Sequence, residues 1–159
     1  MTQRINPDPT KLKDAWQAML GLKAAVRKST LEQNLIKLLK VRVSQINGCG
    51  FCIDMHTKEA RAANETEQRL YLLSAWREAS PSIYSNRERA ALAWAEAVTR
   101  LEHQQVDDAV FEQVKAHFDE QEIVALTLCV VEINGWNRLA ISFRFEAGGY
   151  EVPELSKAG

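Results

Sequence analysis

The chain has 159 residues, enough for one domain with a sizeable buried core. Hydrophobic residues make up 46% and charged residues 26%, an ordinary globular balance that fits neither a disordered nor a fibrous class. Lys plus Arg is 20 and Asp plus Glu is 21, a net charge of −1, without the basic excess that binding to nucleic-acid phosphates draws on.

The opening MTQRINPDPTK has no apolar stretch of a secretory signal, and the apolar runs fall short of the ~20 residues of a membrane span. Periodicity of the helical kind then dominates. A first helix is expected from Pro9 to about Lys28, with Trp16, Met19, Leu20 and Val26 as its apolar positions. Thr30 followed by Gln33 reads as a capping box for a second helix, about Leu31 to Ile46. Asn47-Gly48 is a break, after which a third helix runs from about Cys49 to Ala63. Asn64 with Glu67 is expected to cap a fourth, through Leu70, Leu73 and Trp76, ended by the loop Ala79-Ser80-Pro81-Ser82. Ser85 with Glu88 opens a fifth to about Leu101, and a sixth covers about Asp107 to Phe118. Asp119 with Glu122 starts a seventh through Leu126, Val130 and Ile133. Asn134-Gly135 predicts a kink or break before an eighth, about Trp136 to Phe145. The tail GGYEVPELSKAG lacks periodicity and is expected to be loose. The expectation is a single all-α domain of about eight helices.

Chemistry concentrates in Asn47-Gly48-Cys49-Gly50-Phe51-Cys52-Ile53-Asp54-Met55-His56. At roughly 100° per residue, Cys52 lies about 60° and His56 about 20° from Cys49, so the three share one helical face. The break at Asn47-Gly48 puts the cysteines in the first turn, where free amides and the helix dipole stabilise a thiolate. His56 is placed to exchange a proton with a thiol. Other readings stay open: cysteines as core filler, a zinc site without an evident fourth ligand, and His56 as a solvated surface residue. Cys129 lies in an apolar helix, while His103 and His117 lack paired spacing. Two close cysteines suit a reducing cytoplasm, as a catalytic or metal-binding pair rather than a structural staple. A thioredoxin would need strands about its motif, and helices flank this one.

The run from Val41 to Ala60, including Cys49-Gly50-Phe51-Cys52 and His56, resembles the core of the carboxymuconolactone decarboxylase/AhpD superfamily. A second block, Glu132-Ile133-Asn134-Gly135-Trp136-Asn137-Arg138-Leu139-Ala140, resembles it too, as does the spacer with Glu67-Arg69-Leu70-Tyr71, Ala75-Trp76-Arg77-Glu78 and Arg87-Glu88-Arg89-Ala90-Ala91-Leu92. The likeness runs from about Leu31 to Phe145 and implies an AhpD-like helical bundle, assembling as a homo-oligomer, commonly a trimer or hexamer. It also implies an alkyl hydroperoxide reductase-type peroxidase using Cys49 and Cys52 as a redox dithiol, with no metal or other cofactor. The electron donor would be an external dithiol such as a lipoyl group or thioredoxin, with a peroxiredoxin as a further partner. The decarboxylase branch lacks the cysteine pair. A lactone decarboxylase-like enzyme and a non-enzymatic redox sensor are the competing readings.

Two positions depart from the family pattern. Where the family has the glutamate of a proton relay, twelve residues before Cys49, this chain has Lys37, and the histidine before the second cysteine is Phe51. Both bear on the rate of peroxide turnover. Lys37 reads as a cation near His56 and Glu59, as a partner of Glu59, or as a solvated side chain. The Trp136-Asn137-Arg138 block has two readings: Trp136 and Leu139 pack against the dithiol helix, or Asn134 or Asn137 lines the cavity and orients a peroxide or water. Asn134, Trp136 and Asn137 are the candidate site-lining residues. Cys129 is expected to fill core.

Overall fold

The computed structural model describes residues 2–153. Among them the chain forms α1 (Lys13–Arg27), α2 (Gln33–Asn47), α3 (Gly50–Ala62), α4 (Glu67–Leu72), α5 (Asn86–Arg100), α6 (Asp108–Lys115) and α7 (Glu120–Phe143), with no strand. Two short 3₁₀ turns, Leu73–Ala75 and Glu102–Gln104, follow α4 and α5.

Local chemistry starts these helices as expected at two places. Ser85 Oγ accepts the Glu88 amide and the Glu88 carboxylate accepts the Ser85 amide, closing a capping box at α5. Asp119 and Glu122 do the same at α7. Two other starts differ. Thr30 does not cap α2; Glu32 stands at that position without a side-chain bond, and Gln33 instead donates to the Arg27 carbonyl at the end of α1. Thr66, not Asn64, caps α4 by accepting the Arg69 amide. Asn64 has φ 65°, the left-handed conformation that asparagine tolerates, and turns the chain after α3.

α2 is the axis of the bundle, packed against α3, α5 and α7. Leu35, Ile36, Leu38, Leu39, Val41 and Val43 are all buried, so hardly any of its surface is left for solvent. Lys40 and Arg42 are therefore buried as well and need counter-charges. Lys40 Nζ lies 2.7 Å from Glu132 Oε2, off the line of a directed hydrogen bond and so a charge pair. Arg42 binds Glu96, whose carboxylate also accepts from Trp76 Nε1 and Arg77.

The kink expected at Asn134-Gly135 is absent. α7 is one 24-residue helix, so seven helices stand among the described residues where eight were expected. The glycine serves packing between helices: a Cβ there would lie 3.0 Å from Met19 Cε of α1, and beside it Trp136 stacks on Trp16 with centroids 5.4 Å apart. By length and apolar composition α7 could cross a membrane, but half of its apolar window is buried inside the bundle.

The tail is tied down over part of its length. Asp54 Oδ2 accepts the amides of Gly148 and Tyr150, and Lys58 Nζ donates to both their carbonyls. The oppositely charged Asp54 and Lys58, 2.8 Å apart on α3, thus supply the donor and acceptors that an irregular strap needs. The end of the tail expected to be loose, residues 154–159, lies outside the described residues.

Candidate active site

The turn between α2 and α3 builds the site. Gly48 ends α2 at φ 70°, where L side chains are strained, while the amides of Gly48 and Cys49 donate back to Gln45 and Ser44 carbonyls. The chain reverses at once, and Cys49 becomes the N-cap of α3. Its sulfur accepts the Cys52 amide at 3.4 Å, which is how a helix start stabilises sulfur-borne negative charge. Cys49 and Cys52 are joined as a disulfide, with Cα atoms 5.3 Å apart. Each is 1% exposed.

His56 follows one turn after Cys52 on the same face and is buried. His56 stands four residues after Cys52, and Glu59 three after His56, spacings that place the three side chains next to one another along one helical face. Glu59 Oε2 sits 2.8 Å from His56 Nδ1, and Glu59 Oε1 accepts from the Tyr150 hydroxyl at 3.0 Å. Burial disfavours the Glu59 charge, but the His56 hydrogen bond and charge, the Tyr150 hydroxyl and Lys23 outweigh it and bring its pKa down to about 2. Burial and the adjacent Glu59 push Tyr150 up to about 12. Glu59 is thus an anion that only accepts, and Tyr150 keeps its proton.

A cleft of about 450 Å³ opens beside Cys49. Phe51, Ala140, Ile141 and Phe145 give it apolar walls, and Arg144 and Glu146 supply charge at its edge. Phe51, where the family pattern has histidine, meets Phe145 edge-on at 5.5 Å. Of the two sulfur-bearing residues, Cys49 lines this cleft.

Lys37 is half-buried on α2 and makes no hydrogen bond or ion pair among the described residues. The pairing of Lys37 with Glu59 raised as an alternative is not made; the Glu59 carboxylate meets His56 and Tyr150 instead. Asn134 and Asn137 lie in a polar network rather than along the cleft. Asn47 Nδ2 donates to the side-chain oxygens of both, Asn137 donates to Ser44 Oγ, and Asn134 donates to Thr99 and the Val130 carbonyl. This network ties the end of α2 to α7 behind the dithiol turn. Trp136 packs on α1. Cys129 is buried, and burial pushes its thiol up to about 12. No grouping of three or more His, Cys, Asp or Glu suited to a metal ion occurs among the described residues.

Sequence reasoning missed Tyr150, 91 residues from its partner Glu59. No periodicity marks it, since it lies outside any helix. Asn47 was read only as half of a break signal, and its neighbourhood of other amides comes from α7.

The sequence model of the Carboxymuconolactone decarboxylase family matches residues 10–97. The uncharacterized protein YdfG of Bacillus subtilis is 41% identical over 147 residues, 89% of this chain and 95% of that protein. Among solved structures, Agrobacterium tumefaciens ATU0492, of unknown function and described as a candidate antioxidant defence protein AhpD, superposes with a TM-score of 0.86. It is 41% identical and covers 94% of this chain and 100% of its own. The alkylhydroperoxidase AhpD core of a peroxidase-related protein from Ralstonia eutropha JMP134 gives 0.76 at 19% identity, covering 89% and 74%, which is a likeness of fold.

Proposed function

This chain belongs to the carboxymuconolactone decarboxylase family, with an AhpD-like fold, and from that membership and the site geometry we propose that it is a thiol-dependent peroxidase reducing alkyl hydroperoxides. The observation that carries the reading is the disulfide-forming pair at the start of α3 with His56 buried one turn beyond it.

His56 takes the Cys52 proton, and the thiolate attacks the terminal oxygen of the hydroperoxide. The O–O bond breaks, Cys52 becomes a sulfenic acid, and the alkoxide leaves as an alcohol after taking a proton. Cys49 then displaces hydroxide from the sulfenic sulfur, forming the disulfide and releasing water. An external dithiol, a lipoyl group or thioredoxin, attacks the disulfide and leaves as its own disulfide, restoring both thiols. Cys49, on the apolar cleft, is the sulfur such a donor meets first. The protein works in the cytoplasm, where thiols are kept reduced.

A homo-oligomer is part of the proposal. Val124, Leu128 and Val131 are exposed at helical spacing on one face of α7, a stripe suited to a second copy. A peroxiredoxin is a further electron acceptor to try.

The test is turnover of tert-butyl hydroperoxide with dihydrolipoamide or thioredoxin, together with a thiol count before and after peroxide. Two thiols should disappear per equivalent, and Cys49→Ser and Cys52→Ser should each abolish turnover. In Cys49→Ser, dimedone should trap a sulfenic acid on Cys52. Undiminished turnover in both serine variants would sink the mechanism. Turnover of a carboxylated lactone without either cysteine would give the decarboxylase reading instead.

A further inference from the structure

The segment that follows α7, residues 145–150, touches the dithiol site twice. Phe145, Glu146 and Ala147 line the cleft beside Cys49, and a side chain at Gly50 would meet Ala147 Cβ at 3.5 Å. Five residues after Phe145, the Tyr150 hydroxyl reaches Glu59 Oε1 at 3.0 Å while Oε2 meets His56 Nδ1. The clamp of Asp54 and Lys58 on the Gly148 and Tyr150 backbone fixes this strap on α3.

We propose that Glu59 and Tyr150 are positioning residues for His56: the strap carries in Tyr150, which holds the Glu59 carboxylate on Nδ1 and so turns Nε2 to the Cys52 thiol. The proposal rests on the reading of Cys52 as a reactive thiol served by His56. Its physical basis is the acceptor-only character of a carboxylate. With Glu59 ionised, Nδ1 bears a proton, and in the neutral ring Nε2 is the atom left to accept one. A carboxylate on Nδ1 also stabilises the imidazolium that forms when Nε2 takes the thiol proton.

The other charged groups around the ring are accounted for. Lys23 of α1 acts on Glu59, and Asp54 and Lys58 of α3 neutralise each other. On α2, Lys40 is taken by Glu132, Arg42 by Glu96, and Lys37 has no ion-pair partner among the described residues. α7 offers the neutral Asn134 and Asn137, with Arg144 beyond its end at the cleft.

The arrangement makes a prediction whose sign is opposite to that of simple charge. A carboxylate near a thiol raises the pH at which thiolate forms, so its removal alone would lower that pH. Acting through His56, the same carboxylate lowers it, so its removal raises it. The experiment follows iodoacetamide alkylation of Cys52 against pH in the full-length reduced Cys49→Ser protein, read by mass spectrometry.

Glu59→Gln should move the midpoint up by about one pH unit, slowing alkylation near neutrality roughly tenfold, with the limiting rate at high pH unchanged. Tyr150→Phe should shift it the same way by less. Asp54→Asn, which frees the strap but touches neither His56 nor Glu59, should reproduce the Tyr150→Phe shift and add nothing to it in the double variant. Profiles that superpose on the parent's, or a midpoint that falls in Glu59→Gln, would overturn the proposal. So would a loss of rate at every pH, which marks a structural role only. Because no peroxide is used, the outcomes separate. Shifted midpoints without peroxide turnover support the positioning pair and remove the peroxidase reading; turnover with unmoved profiles removes the positioning pair alone.

Discussion

Removing Glu132 tests how α2 can be buried while carrying cations. The Lys40 and Glu132 side chains are 8% and 2% exposed, and their charges are 2.7 Å apart. Glu132→Leu would leave the Lys40 ammonium in the core without a counter-charge, a change that costs about 3–5 kcal/mol when a buried pair is broken. For a chain of 159 residues, unfolding entropy near 2.1 cal/mol/K per residue converts this to a loss of roughly 9–15 °C in Tm. Lys40→Met should cost a comparable amount, since it strands the carboxylate. The double variant, Lys40→Met with Glu132→Leu, removes both desolvation penalties and should return to within about 1 kcal/mol of the parent, or exceed it. Thermal and urea unfolding followed by circular dichroism would measure all four corners of the cycle. Single variants costing under ~1 kcal/mol, or a double variant as unstable as the two losses combined, would refute the picture of a dry, mutually compensated pair.

Acid should weaken the Glu59 contacts over a defined window. With a folded pKa of about 2 against an ordinary 4.5, Glu59 contributes stability that is complete above about pH 4.5 and lost as pH falls to about 2. The gap in urea midpoint between Glu59→Gln and the parent should therefore close as pH falls from about 4.5 to about 2 and stay constant above that window; a gap that does not change within the window would contradict the assignment. Gly48→Ala should destabilise by about 1–2 kcal/mol in equilibrium unfolding, because φ is 70° there although the space beside it is open. Cys129 should resist alkylation in the folded, reduced protein even at pH 9, because its thiol, in the interior of α7 rather than at a helix start, is pushed up to about 12. Its modification at a rate like that of Cys52 would mean the α7 core opens readily.

Where a structural signal was local, the sequence was readable. The capping boxes at Ser85 and Asp119 consist of hydrogen bonds spanning three residues, and both are formed. Asn47-Gly48 announced the turn for the same reason, since glycine takes φ 70° without the strain that a Cβ brings. The errors came where a local pattern served a distant partner. Asn134-Gly135 looks like a helix break, yet Gly135 makes room for Met19 and Asn134 bonds Asn47 and Thr99. Pairing with Glu59 was one of three readings of Lys37; that carboxylate is held instead by His56 and by a residue 91 positions further along.

By itself, then, the sequence determined the helical class and the grouping of Cys49, Cys52 and His56 at the start of one helix, because helical periodicity and i,i+3 or i,i+4 spacing fix those relations locally, while the family was legible as a resemblance of motifs. Tertiary structure alone decided what surrounds that face. The cleft at Cys49 needs the ends of α3 and α7 together, the partner of Lys40 comes from α7, and Tyr150 reaches Glu59 only through a strap clamped by Asp54 and Lys58. These contacts join segments about 90 residues apart, and no short-range propensity encodes them; they follow from how the buried faces pack and where the remaining polar groups find partners.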